Sequence, residues 1–215
     1  MTEAQTLTPT QAALVPVAAF TTRGELDRLR VALNEALDVG TPVNAIKEVL
    51  VQLYAYAGFP RSLKGLSTLM EVLQQRQEQG IQDDQGADAA PLPPGTDRVA
   101  LGSRVQTQLV GQPVTGPLYD FAPAIDEFLK GHLFGDIFAR ENLDHQTREV
   151  ATVAGLAGLT GVNSQLGGHM RFSLNTNLTV EQLRHLVTIL HEQVGAETGE
   201  NAQGVLAQLL TTLKG

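Results

Sequence analysis

The chain has 215 residues, 42% hydrophobic and 18% charged, a globular composition with enough length to bury a core. It contains no Cys, which excludes disulfides, thiolate metal centres and cysteine redox chemistry. A formal net charge of −8 argues against a nucleic-acid-binding surface. Because no apolar run is long enough to span a bilayer and the first residues lack signal-peptide features, we expect a cytoplasmic protein without membrane partners.

The first half carries two helical patterns in succession. Leucines at three- and four-residue spacing predict a helix that ends at Gly40. Thr41 and Pro42 then predict the start of a second helix, with Thr41 as its cap, and Gly58 is expected to end it. The apolar stripes of the two helices are Leu26, Leu29, Leu33 and Leu37, and Ile46, Val49, Leu50, Leu53 and Ala57.

The composition changes between residues 79 and 97. This segment is rich in Gly, Asp, Gln and Pro and has no apolar period, so we expect an exposed linker. The following residues, 99–114, alternate apolar and polar positions, which favours an extended arm over a helix.

Helical signals return in the second half. Asp144 is expected to cap one helix, and Thr179 with Gln182 forms a capping-box pattern that opens another, which Gly195 ends. Residues 202–213 supply a last amphipathic helix. Because strand patterning is nearly absent elsewhere, the sequence predicts an all-α fold.

The two halves repeat each other at a constant shift of 137 residues. Residues 36–58 align without gaps on residues 173–195, and the apolar positions and helix ends agree. The identical pairs are Leu37/Leu174, Val43/Val180, Leu53/Leu190 and Gly58/Gly195. We therefore expect two tandem helical units with pseudo-two-fold packing: 1–78, a linker and arm at 79–114, and 115–215.

Three short strings carry a family resemblance. They are Tyr-Ala-Tyr-Ala-Gly-Phe-Pro at 54–60, His-Leu-Phe-Gly-Asp at 132–136, and Gln-Leu-Gly-Gly-His at 165–169. With their flanking helices they resemble the carboxymuconolactone decarboxylase-like family, which has the alkylhydroperoxidase-D-like fold. The resemblance implies an all-helical homo-oligomer, a trimer or hexamer, that binds a small carboxylated substrate and needs no cofactor or metal.

The family contains two chemistries. Its peroxidase branch uses a Cys-x-x-Cys-x-x-x-His motif, but this chain has Val162 and Gln165 at the cysteine positions, which excludes thiol peroxidase activity. Its decarboxylase branch often has Glu-x-x-x-His where this chain has Gln165 and His169. The resemblance therefore implies a cofactor-free lyase acting on a small carboxylated lactone or related acid. The alternatives are a non-catalytic small-molecule-binding or assembly protein, and another cofactor-independent reaction such as isomerisation through an enolate.

Decarboxylation needs a group that delivers a proton to carbon, and His titrates near neutral pH. His169 is the candidate, with Gln165 one helical turn earlier on the same face. Glu149 lies in an apolar run, where a carboxylate needs a partner, and His169 on the next helix is its natural one. The alternatives are a structural core histidine and an exposed glutamate.

Further polar residues are candidates for substrate binding. His132 is either a second proton donor or a structural cap. Arg140 and Arg148 either bind the substrate carboxylate or form salt bridges. The residues around Gly58 either line a pocket rim or form a turn. Because the first unit has Ala32 where the second has His169, we expect one site, in the second unit. These candidates are His132, Arg140, Arg148, Tyr56 and Arg61.

Overall fold

The computed structural model describes residues 5–213. Over this range all regular secondary structure is helical, with two π-helical segments and no strand, which confirms the all-α prediction. The helices are α1 (Pro9–Arg23), α2 (Leu26–Asp38), α3 (Val43–Gln52), α4 (Tyr54–Glu78), α5 (Arg98–Val110), α6 (Pro117–Phe121), α7 (Pro123–Glu127), π1 (Phe128–Phe138), α8 (His145–Ala157), α9 (Asn163–Asn175), α10 (Val180–Ile189), π2 (Leu190–Val194) and α11 (Ala196–Thr212). None of these helices is long and apolar enough to cross a membrane.

Two helix starts are as the sequence predicts. The Asp144 carboxylate accepts a hydrogen bond from the Thr147 backbone N–H at 2.9 Å and caps α8. Thr179 and Gln182 form a complete capping box at the start of α10. Gly58 breaks the helical path inside α4, with φ +78° and ψ 161°. The helix that the sequence predicts to end there, α3, already ends at Gln52.

The predicted cap at Thr41 is wrong. Helix α3 begins at Val43, and no side chain caps it. Instead, the backbone N–H groups of Val43 and Asn44 donate to the carbonyls of Asp84 and Gln85 at 2.8 and 2.9 Å. The linker, which has no regular secondary structure at 81–96, thus satisfies N–H groups that a helix start leaves without partners.

The predicted extended arm at 99–114 is also wrong, because residues 98–110 form α5. Asp97 caps this helix, and Gly111 ends it with φ +87°. Val105 and Leu109, which the alternating pattern includes, are also four residues apart, and on a helix they share the face that packs on π1. Contact with π1 therefore decides in favour of the helical period.

One hydrophobic cluster joins the two predicted units. It contains Leu14 and Leu33 from the first half and Val153 and Leu186 from the second. Helices α1 and α8 approach closely: the Thr22 hydroxyl of α1 donates to the Gly155 carbonyl of α8 at 2.8 Å, and a Cβ at Gly155 would lie 3.2 Å from Thr22. A smaller cluster lies between α5 and π1. The division into 1–78, 79–114 and 115–215 stays a prediction, and so does its pseudo-symmetry.

Candidate functional site

A carboxylate and an imidazole meet between α8 and α9. Glu149 Oε2 lies 2.8 Å from His169 Nδ1. Glu149 is fully buried, and His169 is 8% exposed. Because a carboxylate only accepts, Nδ1 is the donor in this hydrogen bond, and the other ring nitrogen, Nε2, stays available to a ligand. The structure therefore brings together the two residues that the sequence analysis paired.

Two aromatic rings enclose His169. Tyr56 and Phe172 contact it edge-on, with ring centroids at 5.5 and 5.1 Å. Tyr56 comes from the first half of the chain, from the string at 54–60, so the site draws on both halves. The rings restrict the orientation of the imidazole and reduce its contact with water.

Two buried polar atoms beside His169 have no partner within the described part of the chain. They are the Tyr56 hydroxyl and Glu149 Oε1. Burial, and then the charge of Glu149, raise the pKa of Tyr56 above its usual value, so the phenol stays protonated. Buried polar atoms without partners are rare in proteins, and a catalytic role or a bound water is among their explanations. Within residues 5–213 the Tyr56 hydroxyl and Glu149 Oε1 are therefore candidates to bind a ligand, as donor and acceptor.

Arg148 lies next to Glu149 in sequence but points into a different network. Its guanidinium donates to Glu48 at 2.8 Å and to Gln52 at 3.0 Å, and also to the carbonyls of Leu143 and Arg140. Burial lowers the pKa of Arg148, and the hydrogen bond to Glu48 opposes this. With 0% exposure and four acceptors, this side chain ties α8 to α3.

Arg140 shares Glu48 with Arg148. Its Nε lies 2.9 and 3.1 Å from the two carboxylate oxygens of Glu48, and its side chain is 40% exposed. The buried acceptors of this network, Glu48 and Gln52, were missed by the sequence analysis. Their signal is a carboxylate and an amide four residues apart, with only apolar residues between them.

Gln165 and Arg61 are exposed, and neither forms a hydrogen bond with Glu149 or His169. Gln165 Oε1 accepts a hydrogen bond from the Ser164 hydroxyl at 2.8 Å. The Arg61 guanidinium lies against Gly24, where a Cβ would be 1.3 Å from its Nη1. The structure thus places both residues outside the buried pair.

His132 belongs to a separate group of side chains on π1. Its Nδ1 lies 2.7 Å from Asp136 Oδ2, and its Nε2 contacts the hydroxyl of Tyr54. The second oxygen of Asp136 pairs with Arg98 at 2.8 Å. His132 therefore has its own partners and does not join His169.

The position that corresponds to His169 in the first half is Ala32, at the shift of 137 residues. Ala32 lines a surface hollow of about 570 Å³ together with Phe20, Arg28 and Gln193. Gln193 stands at the position that corresponds to Tyr56. The residues that line this hollow include no histidine, and their one carboxylate, Glu35, is exposed. A single site, in the second unit, stays a prediction.

A metal centre has no evident ligand set. Among residues 5–213 no group of three or more His, Asp or Glu side chains is arranged to hold a metal ion. The buried pair of Glu149 and His169 is the cluster from which the chemistry of the site is derived.

Fold and site together define an all-helical protein with a buried carboxylate–imidazole pair and no cysteine. No protein-family model matches the chain. Over 94 residues it is 28% identical to the 4-carboxymuconolactone decarboxylase of Acinetobacter baylyi (strain ATCC 33305 / BD413 / ADP1). The match covers 42% of this chain and 69% of that protein. This similarity supports a relationship with the carboxymuconolactone decarboxylase family.

Proposed function

We propose that this protein is a cofactor-free lyase that removes CO₂ from a small carboxylated lactone or related acid. The observation that carries the proposal is the buried contact of 2.8 Å between Glu149 Oε2 and His169 Nδ1. The similarity to a 4-carboxymuconolactone decarboxylase supports the same reaction class.

The site residues have distinct roles in this reaction. Loss of CO₂ leaves an electron pair on carbon, and a positioned general acid delivers the proton there. His169 acts as this acid through Nε2, while Glu149 holds the ring by Nδ1. Tyr56 stays protonated and donates to the lactone oxygen, where negative charge develops.

Of the two arginines that bind Glu48, Arg140 is the candidate for the substrate carboxylate. Its side chain is 40% exposed, and only its Nε is engaged with Glu48. Arginine suits this role because its planar fork binds a carboxylate with two hydrogen bonds. Arg148 is assigned to structure, because its guanidinium is buried and has four protein acceptors.

Gln165 favours a second candidate function, small-molecule binding without turnover. It stands where the decarboxylase branch often has Glu, and it is exposed and bonded to Ser164. An amide cannot act as the acid or base that a carboxylate provides.

One experiment separates the two functions. The protein is incubated with γ-carboxymuconolactone, and both CO₂ release and thermal stability are measured. A lyase releases CO₂, and His169→Ala lowers the rate by roughly 10²–10⁴-fold. A binding protein is stabilised by about 2.7 kcal/mol at a ligand concentration 100 times Kd, without CO₂ release.

The matched control is His191→Ala, which removes an exposed histidine that lies outside the site. It is expected to keep the full rate. A folded His169→Ala protein that turns the substrate over at the unaltered rate contradicts the catalytic role.

We also propose that the protein forms a symmetric homo-oligomer, a trimer or hexamer. The support is an apolar face on consecutive short helices. Its side chains are more than 40% exposed and follow a spacing of three, four and three residues: Leu118, Phe121, Ile125 and Phe128. An exposed apolar face of this kind is typical of an interaction surface.

A further inference from the structure

Four side chains from three helices form a polar chain at the surface, joined by two hydrogen bonds and an ion pair. Tyr54 opens α4, His132 and Asp136 lie one turn apart on π1, and Arg98 opens α5. The Tyr54 hydroxyl contacts His132 Nε2, and His132 Nδ1 lies 2.7 Å from Asp136 Oδ2. Asp136 Oδ1 lies 2.8 Å from Arg98 Nη1. The chain therefore runs from a phenol through an imidazole to a carboxylate fixed by a guanidinium.

The direction of these hydrogen bonds follows from the groups themselves. The Asp136 carboxylate only accepts, so His132 Nδ1 donates to it. In the neutral ring Nε2 is then the acceptor, and the Tyr54 O–H donates to Nε2. A hydroxyl on a base that a third group orients is the arrangement of an activated nucleophile.

Reagents in solution can reach these four side chains. The side chain of His132 is 50% exposed. The Tyr54 ring stacks on Phe59 with centroids 4.3 Å apart and an interplanar angle of 12°, and Phe59 is itself 62% exposed. The phenol thus stands beside a flat apolar surface on which an aryl group can pack.

The polar chain of Tyr54, His132, Asp136 and Arg98 is separate from the proposed lyase site. His169 has Glu149, Tyr56 and Phe172 as neighbours, and none of these belongs to the chain at Tyr54. His169 is also largely buried, whereas half of the His132 side chain faces solvent. The two histidines can therefore be tested independently.

We propose that Tyr54 is the nucleophile of a second catalytic site that hydrolyses aryl esters of small acids, with His132 as its base and Asp136 as a positioning residue. His132 Nε2 takes the Tyr54 proton, Tyr54 Oη bonds to the acyl carbon, and the aryl–oxygen group leaves with the electron pair of the broken C–O bond and takes the proton from His132. Water then attacks the acyl-tyrosine and gives a proton to His132. The carboxylic acid departs, and Tyr54 takes its proton back.

The test uses p-nitrophenyl acetate as the probe. The protein is expected to release p-nitrophenolate and to carry an acetyl group on Tyr54, located by peptide mass spectrometry. Tyr54→Phe and His132→Gln are each expected to lower the acylation rate by about 10²-fold or more. Tyr119 is the internal control, because it is partly exposed and no histidine contacts it within the described residues. Acetylation of Tyr54 is expected to exceed that of Tyr119 by a similar factor.

Asp136→Asn tests positioning. It lets the His132 ring turn or change its protonated nitrogen, so the single-turnover acylation rate of the folded protein falls while its melting temperature changes little. A merely structural Asp136 gives the opposite result, a lower melting temperature with an unaltered rate.

Two further results overturn the proposal. The first is acetylation of Tyr54 that is no faster than acetylation of Tyr119. The second is a Tyr54→Phe protein that is less stable yet releases p-nitrophenolate at the full rate, which would show that the four side chains only link helices. His169→Ala is expected to keep the full esterase rate, and Tyr54→Phe to keep CO₂ release. Failure of one site is thereby distinguished from failure of the other.

Discussion

At the scale of single residues, Glu149 determines what His169 can do. Its carboxylate contacts Nδ1 at 2.8 Å and leaves Nε2 for a ligand. The Tyr56 and Phe172 rings fix the imidazole from two sides. A histidine held in this way presents one nitrogen in one direction, which is what proton delivery to a specific carbon requires.

Glu149→Gln is expected to lower turnover less than His169→Ala does. The amide oxygen of Gln still accepts from Nδ1–H, so the ring keeps its orientation, but the charge that faces it is lost. The loss is therefore expected to stay below the roughly 10²–10⁴-fold that removal of a general acid causes. Steady-state CO₂ release from both variants measures the order. An equal or greater loss in Glu149→Gln than in His169→Ala contradicts this ranking.

Tyr56 gives a prediction about stability at high pH. Its folded-state pKa is raised, whereas in the unfolded chain it titrates near 10. Below pH 10 the phenol is protonated in both states and does not change the free energy of unfolding with pH. Above it only the unfolded state loses the proton, so the free energy of unfolding falls by up to about 1.4 kcal/mol per pH unit.

Tyr56→Phe removes this titration. Urea unfolding at pH 8 to 11 is expected to show a smaller decline for Tyr56→Phe than for the unaltered protein. Tyr54 and Tyr119 are present in both proteins, so their contributions cancel in the difference. Parallel declines would show that the Tyr56 hydroxyl ionises normally in the folded state.

At the scale of helices, α5 and π1 pack through glycine. A Cβ at Gly102 would lie 1.6 Å from the Lys130 carbonyl oxygen, and one at Gly135 would lie 2.4 Å from the Arg98 carbonyl oxygen. Because these neighbours are backbone atoms, a side chain at either position forces the helices apart. The close approach also brings Arg98 to Asp136.

Gly102→Ala is therefore expected to lower the free energy of unfolding by about 1–3 kcal/mol, the usual cost of overpacking. Gly204→Ala is the matched control, because Gly204 is exposed on α11 and a Cβ there has no neighbour within 4 Å. It is expected to stabilise the helix by about 0.5–1 kcal/mol. Thermal or urea unfolding measures both, and equal effects of the two substitutions would contradict the packing argument.

At the scale of the whole molecule, the two halves of the chain are interdependent. One hydrophobic cluster contains residues from both. The buried ion pair between Glu48 on α3 and Arg148 on α8 joins them as well, at 2.8 Å. Tyr56 enters the site of the second half. The first half is therefore part of the site even though it lacks the histidine.

The exposed apolar face predicts the oligomeric state. The unaltered protein is expected to have a mass in light scattering of a trimer or hexamer of the 23.0 kDa chain. The double substitution Phe121→Asp and Phe128→Asp is expected to reduce this mass, because it places charges in the proposed interface between subunits. Val39→Asp, at an exposed apolar position after α2, is the control and should leave the mass unaltered. A monomeric unaltered protein at micromolar concentration would contradict the proposed assembly.

The sequence by itself determined the helical class and several helix ends, because those signals are local. Asp144, Thr179 and Gly58 act on N–H groups or backbone angles within a few residues, so their effect can be predicted without a fold. The contact of Glu149 with His169 was also predictable, since a carboxylate in an apolar run needs a partner and the next helix offers one. The local pattern failed at 99–114, where alternation and helical spacing coincide.

Only the tertiary structure decided which distant side chains meet. The contacts of Arg148 with Glu48 and of Tyr54 with His132 join residues 100 and 78 positions apart. No local pattern specifies such contacts, because they depend on how α3, α4, α8 and π1 pack. Because of this packing, Arg148, a candidate substrate ligand from the sequence, links two helices instead. The packing also places Tyr56 against His169. The sequence predicts which residues are candidates for function, but the packing of helices that are distant in sequence determines which side chains they contact.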